Sequence, residues 1–312
     1  MSKPYDGIIL MDKEAGKTSF DIVKKVKHFS WVKKLGHAGT LDPFATGLLI
    51  LMLGEATKLF PYLTAGEKVY QATMRLGVET DTLDLTGQVV KRRKVPELGA
   101  EFLEQVARGF VGEIEQTPPQ FSAVNYNGRR AYSFAREGIQ IDLQKRKVKI
   151  HSLKILSVDL PEVSIHVTCS SGTYIRSLAA DLGRRLGPGA HLISLRRLKS
   201  GPFDVKDAVG LEELESLTPD AVFREKLIAV HEALPDMLEM QVDDLTARKI
   251  RNGYQPQWKD VRRRDFPHFS EGYLKLTEGK DLVAIGKVGR SQKDQKTWFK
   301  IMRVFNLKQG GR

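Results

Sequence analysis

The chain has 312 residues, which is long enough for one large core with a small second domain. Its 50 Lys and Arg against 38 Asp and Glu leave a formal charge of +12 and a pI of about 9.6, the footprint of a protein that binds nucleic acid or another anionic surface. With 41% hydrophobic residues the composition excludes intrinsic disorder. One cysteine, Cys169, excludes an internal disulfide and a cysteine-rich zinc site and reads as a buried structural thiol.

In chain order, the apolar run Ile8–Met11 is too short for a signal peptide or a membrane span, so a cytoplasmic protein is expected. GIILMD at 7–12 reads as a short buried strand. TSFDIVKKVKHF from Thr18 reads as a capped amphipathic helix, with Phe20, Val23, Val26 and Phe29 on one face and Lys24, Lys25, Lys27 and His28 on the other. AGKTS at 15–19 looks like the end of a phosphate-binding loop, but the glycine such a loop needs five positions before Gly16 is Met11. Gly16 and Thr18 are then a turn and a helix cap. After GHAGTLDP at 36–43 comes FATGLLILMLGEATKL, a buried element whose type periodicity leaves open. Residues 69–78 alternate like a strand, and TDTLDLTGQVV supplies turn chemistry before another.

Between residues 120 and 154, eight basic side chains face only Glu137 and Asp142, and Phe121, Tyr126, Tyr132 and Phe134 are interleaved with them. Cations that can hold phosphates beside aromatics that can meet bases suggest an RNA-gripping inserted segment at 120–154, the alternative being that the aromatics are core residues of a local hairpin and helix. Further on, Val163, Ile165, Val167 and Cys169 share one face of a strand that runs into SSGTYIRSLAADLGRRLG, a strand-to-helix junction. Strands and helices interleave without a regular repeat, which predicts an α+β fold. An acidic stretch at 210–235 and the turn LPDM at 234–237 place a domain boundary there, giving domains 1–235 and 236–312. The second carries 17 Lys and Arg against 10 Asp and Glu, with β-like segments YLKLT, LVAIGKV and WFKIMRVF. It reads as a small basic RNA-binding accessory.

The seven histidines show no HxxH, HxH or His/Cys cluster, so no metal site is expected. Two readings of Asp42 stand side by side. Pro43 could open a helix with Asp42 as its N-cap, or the small-residue loop could present the carboxylate to a substrate, paired with Arg176 of GTYIRS. His37, between Gly36 and Gly39 in the same loop, is a second candidate to meet a ligand.

GHAGTLDPFATGLLILMLGEATK, KVYQATMRLGVETDTLDLTG, PPQFSAVNYNGRRAYSFAREG, SSGTYIRSLAADLG and LRRLKSGPF occur in the order of the TruB-type tRNA pseudouridine synthases, which the chain resembles over most of residues 5–205. More weakly, the tail resembles the PUA RNA-binding domain, with LTARKIRNG at its start. The resemblance implies the pseudouridine synthase fold, a mixed and largely antiparallel sheet flanked by helices and loops. It implies isomerisation of uridine 55 in the T loop of tRNA, without cofactor, by a monomer that needs no protein partner. It carries the catalytic aspartate onto Asp42, the tyrosine that stacks on the target uracil and assists proton removal onto Tyr70, and the arginine paired with the nucleophile onto Arg176. His37 and Lys13 match residues beside the extruded nucleotide, and Tyr174 and Leu198 fall in pocket-lining motifs. One departure is SAVN where relatives usually read SALK, which puts Asn125 in a lysine position and shifts the expected phosphate contact to Arg129 or Arg130. Two rival readings remain, a guide-RNA-dependent synthase and a non-catalytic tRNA-folding chaperone.

Overall fold

The computed structural model describes residues 5–30, 32–257, 271–292 and 296–307. Its main element is a ten-stranded sheet in the order Ile228–Ala229, Gly7–Lys13, Thr46–Leu53, Ala190–Ser200, Lys68–Leu76, Glu162–Cys169, Arg146–Asp159, Gly112–Gln116. Leu35–Ala38 adds beside Thr46–Leu53, and Phe203–Asp204 beside Ala190–Ser200. Among these strand pairs only Thr46–Leu53 with Ala190–Ser200 runs parallel, where Arg196 and Arg197 meet Thr46 and Gly47. The expected α+β class is what the chain adopts.

The continuous apolar run after Pro43 becomes the strand Thr46–Leu53, followed by a 3-10 turn over Gly54–Leu59. Both faces of this strand are covered, which explains the missing alternation: Leu49, Leu51 and Leu53 enter one core, and Leu48, Ile50 and Met52 enter another. Val163, Ile165, Val167 and Cys169 are fully buried on one face of their strand, as the alternation predicts. Burial pushes the Cys169 thiol up to about 11, so it is an inert core group. In the helix Ser19–Ser30 the buried side chains are Ile22, Val23 and Val26. Phe20, expected on that face, is 58% exposed with the Lys24 ammonium 4.8 Å from its ring centre. The inward face includes Ile22, two residues on and so about 200° away around the helix. The Phe29 side chain lies outside the described residues.

The tail forms a second sheet, Leu238–Gln241, Gly272–Glu278, Asp281–Arg290 and Thr297–Val304, packed against the helix Asp244–Arg251. The β-like tail segments lie in its strands, save Phe305, which follows the last one. It is not a detached bead, because Leu282, Ile285 and Phe305 share a core with Ile8, Leu10, Ile50 and Met52. Polar contacts reinforce this seam: Lys58 Nζ donates to Val304 O at 2.8 Å, and Asn306 N donates to Glu55 at 2.9 Å.

The basic segment is two things rather than one. Residues up to about 145 make a hairpin of Asn125–Tyr126 with Arg129–Arg130 and the short helix Ala131–Arg136, over a small core of Ala131, Ile141 and Leu143. From Arg146 the chain is already a strand of the main sheet. No described helix is long and apolar enough to cross a membrane.

Candidate active site

After the strand Leu35–Ala38 the chain turns at Gly39, whose φ of +95° favours glycine, and reaches Asp42. Ala45 N donates to Asp42 O at 3.1 Å, so Pro43 and Phe44 form a turn directly into a strand. No helix follows, and the N-cap reading of Asp42 falls. The loop is tied down on three sides. Ser19 Oγ exchanges hydrogen bonds with the backbone of Leu41, Gly16 N donates to Pro43 O at 2.8 Å, and Arg197 donates from Nε to Leu48 O at 2.7 Å and from Nη2 to Gly39 O at 3.0 Å.

Arg176 is the second residue of the helix Ile175–Leu186, brought to the sheet edge by the junction after Cys169. Its Nη2 donates to Asp42 Oδ1 at 2.9 Å, and its Nε lies 2.9 Å from Oδ2. The same guanidinium donates to Thr82 O and Phe121 O and lies 3.3 Å from Asp84 Oδ2. Asp84 is itself fixed, because its Oδ1 accepts from Thr82 Oγ1, Thr86 Oγ1 and Thr86 N. Arg176 and Asp84 side chains are each 5% exposed, whereas Asp42 keeps 30% of its side chain open. A planar fork locked by four partners thus aims one carboxylate outward. Burial pushes the Asp42 carboxyl above the ordinary carboxylate value; Arg176 pulls it back, and Asp84 adds to the push.

The pair opens on a cavity of about 450 Å³ lined by Asp42, Tyr70, Tyr174 and Arg176, together with Thr64, Lys68, Phe121, Ser122, Tyr132, Leu195 and Arg197. Tyr70 is 7% exposed; burial raises its phenol pKa while Arg197 opposes that rise. The Tyr174 backbone is held by both ends of the Gln116 amide, and Arg146 lies 5.1 Å from its ring centre.

Other expected residues sit elsewhere. Lys13 is 1% exposed, and its ammonium is spent on Glu14 O, Lys17 O and Pro43 O at 2.7, 2.7 and 3.2 Å. It therefore braces the Asp42 loop from beneath instead of edging the cavity. His37 lies on the strand behind the loop, its pKa lowered by burial and by Arg197, and it is not part of the lining. Leu198 is displaced by a register irregularity between Arg197 and Lys199, so the lining from this strand falls to Leu195 and Arg197. Arg129 pairs with Glu137 and stacks 4.5 Å from the Phe134 ring centre, and Arg130 donates to Ala123 O at 2.7 Å. Both lie on the hairpin outside the cavity. Asn125 Oδ1 accepts from Gly128 N at 3.0 Å, closing a turn in which Asn127 and Gly128 both have positive φ. That is what the asparagine does at this position: it shapes the turn.

Sequence reasoning missed Asp84, Lys68 and Arg197. Asp84 was hidden among residues that read as turn chemistry. Arg197 could have been found from alternation, since it shares the face of Leu195. Lys68 shares the face of Tyr70 in the same way and donates to Thr64 O and Gly66 O, each at 2.7 Å. Burial lowers its pKa to about 8.

A carboxylate held by arginine opens on a cavity of about 450 Å³ above a largely antiparallel sheet, and comparison with known proteins identifies the class as pseudouridine synthase. Residues 27–175 match the TruB family pseudouridylate synthase N-terminal domain, and residues 176–239 match the tRNA pseudouridylate synthase B C-terminal domain. A tRNA pseudouridine synthase B of Geotalea uraniireducens is 41% identical over 305 residues, covering 97% of this chain and 98% of that one. Its counterpart in Clostridium kluyveri is 44% identical over 300 residues, covering 96% and 99%. Among solved structures, a Cbf5-Nop10-Gar1 complex contains a chain 25% identical to this one with a TM-score of 0.73, over 97% of this chain and 85% of that chain. The chain belongs to the TruB family of pseudouridine synthases.

Proposed function

We propose that this protein converts uridine 55 in the T loop of tRNA to pseudouridine, with Asp42 as nucleophile. The observation that carries the reading is the Asp42–Arg176 pair at the floor of the cavity, one carboxylate fixed in orientation and left partly open. The target base is inside a folded loop and has to be flipped out, at a cost of a few kcal/mol. The exposed cations of the 120–145 unit and the basic tail offset that cost through phosphate contacts. Asp42 forms a covalent intermediate while the N-glycosidic bond breaks, the uracil turns beneath Tyr70, and C5 bonds to the sugar. Tyr70 then assists removal of the C5 proton. Every bond exchanged belongs to one nucleoside, so the reaction consumes no co-substrate.

In this reading residues 1–235 are the synthase domain and 236–312 a PUA-like RNA-binding domain, and the protein acts as a cytoplasmic monomer without a guide RNA. The curated relatives carrying the name tRNA pseudouridine synthase B favour this over a guide-dependent role, although the Cbf5 chain of similar fold comes from a complex with Nop10 and Gar1. The test is pseudouridine formation at position 55 of an unmodified tRNA transcript by the purified native protein and by Asp42→Asn. Activity lost in the variant with tRNA binding retained supports the reading. Tight binding without activity in the native protein moves the assignment to a guide-dependent enzyme or an RNA chaperone.

A further inference from the structure

Arg197 is 1% exposed and yet lines the cavity. Burying a guanidinium is costly unless charge compensates it. Its described hydrogen bonds go to two neutral acceptors, the carbonyls of Leu48 and Gly39. The group facing it across the strands is Tyr70, its register partner in the pairing of Ala190–Ser200 with Lys68–Leu76. Around this pair lie the cations Lys13 and Lys68 and the half-buried His37, all of which the guanidinium pushes towards their neutral forms, with Asp42 and Cys169 near the phenol on the other side. Arg197 is the cation that faces Tyr70 in the register, and its charge opposes, without cancelling, the rise that burial gives the phenol pKa.

We propose that Arg197 is a positioning residue for proton transfer at Tyr70: buried beside Tyr70 in the cavity wall with only neutral acceptors of its own, its guanidinium stabilises the Tyr70 phenolate that accepts the C5 proton. This rests on the reading of Tyr70 as the acceptor for that proton. When the new C5–C1′ bond has formed, C5 still carries its hydrogen. The phenolate takes that proton, the C5–H pair becomes the C5–C6 double bond, the C6–N1 double-bond pair moves onto N1, and N1 takes a proton from solvent. The phenol returns its proton to solvent after product release.

The experiment is single-turnover conversion of tRNA carrying either ordinary or 5-deuterated uridine at the target position, by the native enzyme, Tyr70→Phe, Arg197→Met, Arg197→Lys and the double variant Tyr70→Phe/Arg197→Met. Arg197→Met is expected to slow conversion at saturating tRNA by about tenfold or more, with KM unchanged, and to show a larger primary deuterium isotope effect than the native enzyme. Arg197→Lys should recover part of the rate, and Arg197→Met should add no further loss to Tyr70→Phe. If Arg197→Met melts too low to assay, Arg197→Lys carries the same isotope comparison. A slow Arg197 variant whose isotope effect equals the native one overturns the proposal and leaves Arg197 as a clamp on the Gly39 loop. Native rate and isotope effect in Tyr70→Phe would instead remove the reading of Tyr70 and the proposal with it, an outcome separate from the Arg197 result.

Discussion

Asp42 faces its cavity because every competing use of its carboxylate has been taken away: no helix follows for it to cap, and Ser19, Gly16 and Arg197 satisfy the loop backbone. Arg176 is left between two carboxylates, and replacing it with methionine strands Asp84 in the interior. A loss of about 3 to 5 kcal/mol in stability is expected, read from denaturant midpoints. Asp84→Asn should keep the fold and lower kcat by about tenfold to a hundredfold with little change in KM, because the fork loses one of its anchors. The pH dependence has a definite sign. In the proposed mechanism Asp42 acts as a carboxylate, and its pKa in the folded protein is raised above 3.8, so the rate is expected to fall with acid at a higher pH than an ordinary aspartate would dictate. Asp84→Asn removes a like charge that adds to that rise, so its acid limb should move to lower pH in a kcat/KM profile.

At the scale of the element, the strand Thr46–Leu53 can lie beside Arg197 only because residue 47 is glycine. A Cβ there would sit 2.3 Å from Arg197 O, on a residue whose φ is +98°. Gly47→Ala should cost about 1 to 3 kcal/mol from backbone strain alone, with the overlap adding to it, seen as a lowered melting temperature. Helix Ser19–Ser30 gives a second comparison. Ile22→Ala should cost about 2 to 5 kcal/mol and Phe20→Ser under about 0.5, the reverse of what spacing from Phe20 suggests. These cases show what the sequence could and could not disclose. Alternation found the buried face of Glu162–Cys169, and motif matching brought Asp42, Tyr70, Tyr174 and Arg176 to one cavity. The strand buried on both faces gave no periodic signal, because periodicity reports a difference between faces and this strand has none. Lys13, His37 and Leu198 occupy the right neighbourhood, but only the sheet register decides which side chains in it reach the cavity.

For the whole molecule, the seam between the two sheets is apolar, with Leu282, Ile285 and Phe305 set against Ile8, Leu10 and Met52. Truncation after Pro235 uncovers that face, so the shortened protein is expected to aggregate or to lose its single cooperative melting transition, measurable by calorimetry and size-exclusion chromatography. The net charge of +12 predicts tRNA affinity that falls linearly on a logarithmic salt scale, with the slope reduced by about one for each phosphate-contacting cation neutralised on the 120–145 unit. The parallel strand pairing inside the main sheet, of Thr46 and Gly47 with Arg196 and Arg197, has a further consequence. This contact closes a loop of about 150 residues, and like the long-range antiparallel pairing of Ala190–Ser200 with Lys68–Leu76 it is expected to form late. The floor of the cavity draws on Asp42, Tyr70, Arg176 and Arg197, so a chain emerging from the ribosome has no site to offer an RNA until nearly two thirds of it has been made. Catalytic competence is therefore expected only once the strand Ala190–Ser200 has joined the sheet.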